Sequence, residues 1–466
     1  MIFSPGDMND FKGELIWPEN PAYERARRVF NALIDRRPAL IASCRTASDV
    51  SLALKAAERI GGPVAVRGGG HSVAGYGVCD GGTVIDLSPM RRVIVDAERS
   101  EVHVEGGALW RDVDRVTCAH GLAVPGGVIS STGVGGFTLG GGLGWLSRAW
   151  GLACDNLVGA TMTLADGTVV NIDEDHDSEL LWAIRGGGGN FGVVTSFRFR
   201  ARKISWINVL ICVYPFCEVE NVLRGFREVM VSAPDRVAAM VDMCSAEESQ
   251  KISAGVRGGQ VISVMGCSTG LGSLGAKDLA PLASLAKPSA VFQRQLRYRT
   301  WQRSLDASSP PDRYNYWKSD FIPDLPDSVI GELAAIGSDP PSLQSHIHVI
   351  RAGGMPSRIL PDATALSCRQ QPYLVHLIST WCDNAMTTDV ISRTEANYQR
   401  IKCHASDQPY LNFIGDEGTS RIRKSYTNDT FAKLRAIKSR VDPGNLFHMN
   451  QNIPPLHGAT QDGQYR

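Results

Sequence analysis

Residues 67–82 read RGGGHSVAGYGVCDGG, a run of glycines wrapped around one histidine. A glycine inside a helix costs about 1 kcal/mol relative to alanine, so this stretch is a loop. It follows GGPVAV at 61–66, which reads as a buried strand. His71 therefore sits on a loop leaving a strand, where the backbone can approach another group closely.

Three more glycine clusters lie downstream: GGV at 126–128, STGVGGFTLGGGLGW from Ser131, and RGGGGNFGVV from Arg185. The last contains a literal GxGxxG at Gly187, Gly189 and Gly192. A dinucleotide fingerprint must follow a strand and open a helix. Here DSELLWAIRG before it is helical and VVTSFRFR after it alternates like a strand, so the context is inverted. No GxxxxGK[ST] is present, which excludes a P-loop. Several such loops near strands expose successive backbone N–H groups that suit a pyrophosphate, and they let a planar ring lie against the chain. The residues alone lead to a large phosphate-bearing cofactor held by several loops.

Length and composition set the frame. A chain of 466 residues exceeds one ordinary core and is expected to form two domains. Lys+Arg and Asp+Glu number 48 each, which gives no electrostatic footprint for nucleic acid or an anionic membrane. The opening MIFSPGDMNDFKGEL carries acids and no apolar core of signal-peptide length. No apolar run is long enough to span a bilayer. The 11 cysteines are scattered without a CxxC pair, so a cytoplasmic setting is expected, with most cysteines acting as small core residues. Monomer and homodimer both remain open.

The first part alternates strands and helices. PALIASC is read as a strand, and TASD as the capping start of a helix carrying Val50, Ala53, Leu54, Ala57 and Ile60 on one face and stopping at Gly61. TVIDLSPM and SEVHVEGGALW read as strands, ATMTLADGTVVNI as a hairpin turning at Asp166-Gly167, and GVVTSFRFR as a half-buried strand. After about residue 200 strand-like runs such as ISWINVLICVY mix with helical ones. DASSPPDRYNYWKSDFIPDLP reads as a Pro- and aromatic-rich connection. PYLNFI reads as a short strand and TFAKLRAIKSRV as a basic helix.

RGGGHS with VIDLS, GGLGW with GLACDNL, then LADG, ELLWAIRGGGGNFGVVT and DPGNLFHMNQNI occur in one order from about residue 38 to 455. This set resembles the berberine-bridge-enzyme-like FAD-linked oxidases, which share the fold of vanillyl-alcohol oxidase and p-cresol methylhydroxylase. It looks most like the bacterial branch that includes 6-hydroxynicotine oxidase and natural-product-tailoring oxidases. The resemblance implies an α+β, two-domain FAD-binding fold of the p-cresol methylhydroxylase type. Residues 1–204 would form the FAD-binding part and 405–466 return to it, while 205–404 would form an antiparallel sheet backed by helices that carries the substrate site.

The resemblance also implies site residues. The histidine of RGGGH, His71, would be joined through a ring nitrogen to the 8α-methyl carbon of FAD. Arg67, Gly68, Gly69, Gly70 and Ser72 from its loop would line the cofactor. So would Ser131, Thr132, Gly133, Gly135, Gly136, Gly141 and Gly142, with Val194, Asn412 and Asn450. Many relatives add a cysteinyl bond from the next glycine loop. The matching residue here is Ile129, so a single attachment is expected, with Cys79 and Cys154 structural. Tyr410 of PYLNF matches the family's YxN base, with Asn412 on the same strand face and near the cofactor. YLVHLISTW matches a strand that often supplies a catalytic carboxylate. Its inward positions hold Leu374 and His376, which makes His376 a second candidate base.

His346 and His348 in QSHIHVI share a strand face and read as pocket-lining or surface residues; no metal is expected, because no acid or cysteine cluster joins them. Tyr314, Tyr316, Trp317 and Lys318 belong either to the substrate cavity or to a domain core. The implied reaction is two-electron oxidation of a small alcohol, amine or natural-product intermediate by hydride transfer to flavin N5. Oxygen would be the acceptor and hydrogen peroxide the product, with compact Thr132 at the position that gates oxygen. The alternatives are a dehydrogenase with another acceptor, an oxidative cyclase or oxygenase, and a flavin-bearing protein that sequesters a drug or metabolite.

Overall fold

In the computed structural model, which describes residues 8–247 and 259–456, the TASD start closes a capping box. Asp49 N–H donates to Thr46 Oγ1 and Thr46 N–H donates back to the Asp49 carboxylate, both at 3.1 Å. These bonds satisfy donors that the first turn of the helix Ala47–Ile60 would otherwise leave open. Val50, Ala53, Leu54 and Ala57 are buried, and the helix ends at Gly61 with φ +77°. It packs on a four-stranded sheet ordered Glu14–Ile16, Leu40–Ser43, Thr83–Asp86, Val64–Arg67, whose last three strands are parallel. The RGGGH loop leaves the carboxyl end of Val64–Arg67, the end at which parallel sheets receive ligands.

A five-stranded antiparallel sheet follows, ordered Val93–Asp96, Glu101–Glu105, Val193–Arg200, Leu157–Thr163, Val169–Asp173. Its last two strands are the expected hairpin, with Gly167 at φ +82° in the turn. The helix Asn428–Val441 sends Leu434, Ile437 and Val441 into the same core as Phe197 and Phe199 of this sheet.

The seven-stranded sheet is antiparallel throughout: Ala290–Arg297, Trp206–Pro215, Gln260–Ser268, Val237–Ser245, His346–Arg351, Tyr373–Trp381, Tyr314–Ile322. One face sends Val241, Met243, Ile347, Val349, Val375 and Leu377 into a core shared with the helices Val219–Ser232, Asp327–Ser338 and Thr387–Lys402. Period-two alternation turns Asp242, His346, His348 and His376 to the other face.

Two expectations are corrected. The supposed connection around 306–326 contains the edge strand Tyr314–Ile322, because its prolines at 310, 311 and 323 flank the strand rather than interrupt it. PYLNFI joins no sheet; after Tyr410 it tightens into the 3₁₀ turn Leu411–Phe413. Pro409 lacks a ladder donor, and the side chains of Tyr410 and Asn412 bond to loop backbone instead. No described helix is long and apolar enough to cross a membrane.

Candidate active site

His71 leaves the parallel sheet at the mouth of a large cavity between that sheet and the open face of the seven-stranded one. Gly70 before it has φ +65°, a conformation that side chains disfavour. The imidazole stacks on Phe30, ring centroids 3.9 Å apart and planes 13° from parallel. Burial pushes its pKa down to about 4, so it is neutral at physiological pH. Its Nε2 is buried without a hydrogen-bond partner. Such an atom costs about 1–3 kcal/mol unless something completes it.

The glycines act in two ways. At Gly69 an added Cβ would lie 2.5 Å from Gly133 Cα, so these residues let the two loops touch each other. At Gly136 and Gly189 an added Cβ would meet no atom within 4 Å, which leaves bare backbone facing open space. Gly68, Ser72, Thr132, Gly135 and Val194 also line the cavity. Arg67 lines it as well, but its guanidinium is committed elsewhere. Nη2 lies 2.9 Å from Asp86 Oδ2, Nε lies 3.2 Å from Oδ1, and Nη1 donates to Ala26 O at 2.7 Å. Ser131, Gly141 and Gly142 are not among the residues of the wall.

At the far end of the cofactor loops, Asn450 donates through Nδ2 to Gly189 O at 3.2 Å, and its Oδ1 is buried without a partner. Asn412 donates to Phe137 O at 2.9 Å. The donor set fits a flavin dinucleotide: bare glycine backbone, a half-buried neutral imidazole and an unpartnered amide oxygen converge on one cavity. Ile129 lies on the wall, and no cysteine does among the described residues. Cys79 is buried, with Sγ toward Pro63 O and Thr83 O and burial raising its pKa to about 11. Cys154 is fully buried too, its thiol pushed well up.

Tyr410 is not brought to the cavity. It is 2% exposed, and its hydroxyl oxygen accepts from Gly142 N–H and Leu143 N–H, both at 2.9 Å, and from Asn412 Nδ2 at 3.2 Å. Burial outweighs these bonds and raises its pKa above the usual phenol range. Leu411, Asn412 and Phe413 reach the wall in its place.

His376 does reach it, stacked on Phe413 at 4.3 Å and 10° and set against the edge of Trp317 at 5.2 Å. Burial, then His348, drives its pKa well below the usual range. His346 and His348 line the cavity beside it. Behind them stands Asp242, 3.0 Å from His346 Nδ1 and 3.5 Å from His348 Nε2. Burial alone would raise the Asp242 carboxyl, but His346, by charge and hydrogen bond, and His348 hold it below the usual carboxylate range. Tyr316 and Lys318 face away from the cavity, toward Glu395, while Tyr314 stacks on Trp381. The HxH spacing was visible in the sequence. Asp242 was not, because only strand register puts it opposite His348.

Residues 38–173 match the model of the FAD binding domain family, and residues 409–454 that of the berberine and berberine-like family. The chain is 28% identical over 454 residues to the FAD-linked oxidoreductase YvdP of Bacillus subtilis, covering 95% of this chain and 98% of that protein. It is 27% identical over 465 residues to (R)-6-hydroxynicotine oxidase of Paenarthrobacter nicotinovorans, covering 95% and 97%. The crystal structure of 6-hydroxy-D-nicotine oxidase from Arthrobacter nicotinovorans matches with a TM-score of 0.84 at 24% identity, over 95% of this chain and 98% of that one.

Proposed function

We propose that the chain, which is similar to the berberine-bridge-enzyme-like FAD-linked oxidoreductases, is an oxidase whose flavin is held by one covalent bond, through His71. One observation carries the reading: the half-buried, neutral His71 with a buried, uncompleted ring nitrogen, on a cavity built from glycine backbone. A neutral imidazole is a competent nucleophile toward the flavin methyl carbon, and Phe30 fixes the plane of its ring. Ile129 cannot form a thioether and no cysteine lines the wall among the described residues, which supports a single bond.

FAD, held by His71 and the glycine loops, would supply a two-electron oxidant to this cavity. The glycine loops would offer backbone N–H groups to its phosphates, while Asn412 and Asn450 tie those loops through Phe137 O and Gly189 O. Arg67 acts through the sheet, its pair with Asp86 keeping the exit of the RGGGH loop in place. A small organic molecule is oxidised in the part of the cavity lined by Trp317, His376 and Phe413. Thr132, compact and on the wall, would leave room for oxygen there.

Tyr410 serves in this reading as a clamp on the Gly142–Leu143 turn. Tyr410→Phe strips the acceptor from three N–H donors and is expected to cost about 1–3 kcal/mol of stability. Thermal unfolding reads that loss. Anaerobic stopped-flow reduction should slow less than the roughly 10²–10⁴-fold that removal of a catalytic base brings. A Phe variant slowed within that range would return the base to Tyr410.

The acceptor is tested by reducing the enzyme with a turned-over alcohol or amine and admitting air. Fast reoxidation with stoichiometric hydrogen peroxide is expected. Slow reoxidation beside fast transfer to an artificial dye acceptor would mark a dehydrogenase.

A further inference from the structure

Asp242, His348 and His376 stand directly opposite one another on three adjacent strands, a row across the cavity face of the seven-stranded sheet. The His348 and His376 rings lie 6.1 Å apart, nearly perpendicular. His376 is 2% exposed, and neither of its ring nitrogens has a hydrogen-bond partner. A neutral imidazole carries one N–H donor and one lone pair, so this residue of the cavity wall holds both a buried donor and a buried acceptor without a protein partner. Buried groups of that kind are met by ordered water or by a ligand.

The surrounding wall restricts that ligand. Arg67 is the one side chain with a permanent charge on the cavity wall among the described residues, and it is paired with Asp86. Trp317, Phe413 and Ile378 make the neighbourhood of His376 apolar and ring-shaped. A charged substrate group would be desolvated here without a partner, whereas a hydroxyl both donates and accepts.

The two histidines are not equivalent. Asp242 lies 3.5 Å from His348 Nε2, and its carboxylate is anchored by His346 Nδ1 on the same face. A proton arriving on His348 meets a buried negative charge, whereas one arriving on His376 meets only another imidazole. A hydrogen on Nε2, the nitrogen nearer the carboxylate, would leave the Nδ1 lone pair to accept.

Resting on the proposed function above, we infer that His348 is the proton acceptor of the reaction. Asp242 acts as its charge-bearing positioning residue, His376 as the hydrogen-bonding clamp, and the substrate is an uncharged alcohol on a compact, ring-containing apolar body. The step balances. The carbinol C–H breaks and its hydride, with the electron pair, leaves to the oxidised flavin of the family. The O–H bond breaks, its proton goes to His348, and its electron pair closes the C=O bond. One alcohol becomes one carbonyl compound, and the flavin gains two electrons. Burial, eased by Asp242 but deepened by His346, lowers the His348 pKa to about 4, so it is unprotonated at neutral pH.

The holoenzyme is mixed anaerobically with benzyl alcohol or 1-phenylethanol, and flavin bleaching is followed. The parent enzyme should be reduced. His348→Gln and Asp242→Asn should slow reduction by roughly 10²–10⁴-fold, with the dissociation constant of the alcohol changed less than about tenfold and the flavin still attached. A readout independent of turnover comes from ring ¹⁵N shifts of labelled histidine at neutral pH. The signal lost in His348→Gln should report the Nε2–H tautomer in the parent and a mixture in Asp242→Leu. Reduction at the parental rate in both kinetic variants overturns the assignment of the base. An unchanged tautomer in Asp242→Leu overturns the role of Asp242. A parent that carries covalent flavin yet is reduced by neither alcohol overturns the substrate class. A parent that holds no covalent flavin overturns the earlier reading instead.

Discussion

Replacing His71 with alanine is expected to turn a flavin that survives acid denaturation into one that is released completely. The substitution removes the imidazole and leaves the rest of the cavity intact. The glycine wall, Asn412 and Asn450 belong to other segments, and the loop holding Gly70 at φ +65° tolerates alanine at the next position. The variant should therefore still bind flavin reversibly. It also loses the stack on Phe30, so its thermal midpoint without added flavin should fall below that of the parent. Colour in the pellet against colour in the supernatant after acid precipitation reads the outcome, which is all or none. Partial retention would mean that a second residue shares the attachment.

Lys438→Met carries the largest expected loss of stability, about 3–5 kcal/mol. The Lys438 side chain is fully buried, and its Nζ donates to Asp442 Oδ2 at 2.5 Å, Asn190 O at 2.7 Å and Phe447 O at 3.1 Å. Asp442 in turn accepts from Leu446 N–H and Phe447 N–H. Methionine keeps the stem volume but strands the Asp442 carboxylate and two carbonyls in a dry interior. The damage should reach the cofactor site as well. Asn190 belongs to the loop that sets Gly188, Gly189 and Gly192 on the cavity wall, and its own Nδ2 and Oδ1 bind Gln451 O and Ile453 N–H. Urea unfolding measures the stability, and flavin affinity in a His71→Ala background measures the loop. A variant within 1 kcal/mol of the parent would show that water replaces the lysine.

Much of the fold was legible because local signals carried it. The TASD capping box, the Asp166-Gly167 turn and the clean alternation of GVVTSFRFR each use only neighbouring residues, and each appears as read. PYLNFI was misread because alternation over a few residues cannot reveal that Pro409 lacks a donor and that Tyr410 and Asn412 find partners in the distant 137–143 segment. The edge strand Tyr314–Ile322 was hidden by the prolines beside it, which look the same in a loop as at the ends of a strand.

The site divides in the same way. Loop motifs announced His71 and most of the glycine wall, since glycine clusters are contiguous in sequence. The sheet side was announced only in part: His376 was read as a candidate base and His346 and His348 as pocket-lining or surface residues, while Asp242 went unnoticed. Asp242, His348 and His376 come from strands far apart in the chain, and only register aligns them. His346 and His348 were noticed as a pair, yet without Asp242 nothing marked them as chemically paired. Arg67 illustrates the opposite case. Its motif suggested cofactor contact, while its charge is taken up by Asp86, a partner on the neighbouring parallel strand.

The covalent attachment is the claim on which the rest depends, and one mass measurement tests it directly. The unmutated protein is precipitated in acid, digested with trypsin and fractionated by flavin absorbance. The account predicts one flavin peptide, containing His71 and heavier than its sequence by one covalently joined FAD, with every cysteine peptide unmodified. Unmodified His71 with all flavin in the supernatant, or FAD found on a cysteine, would contradict it.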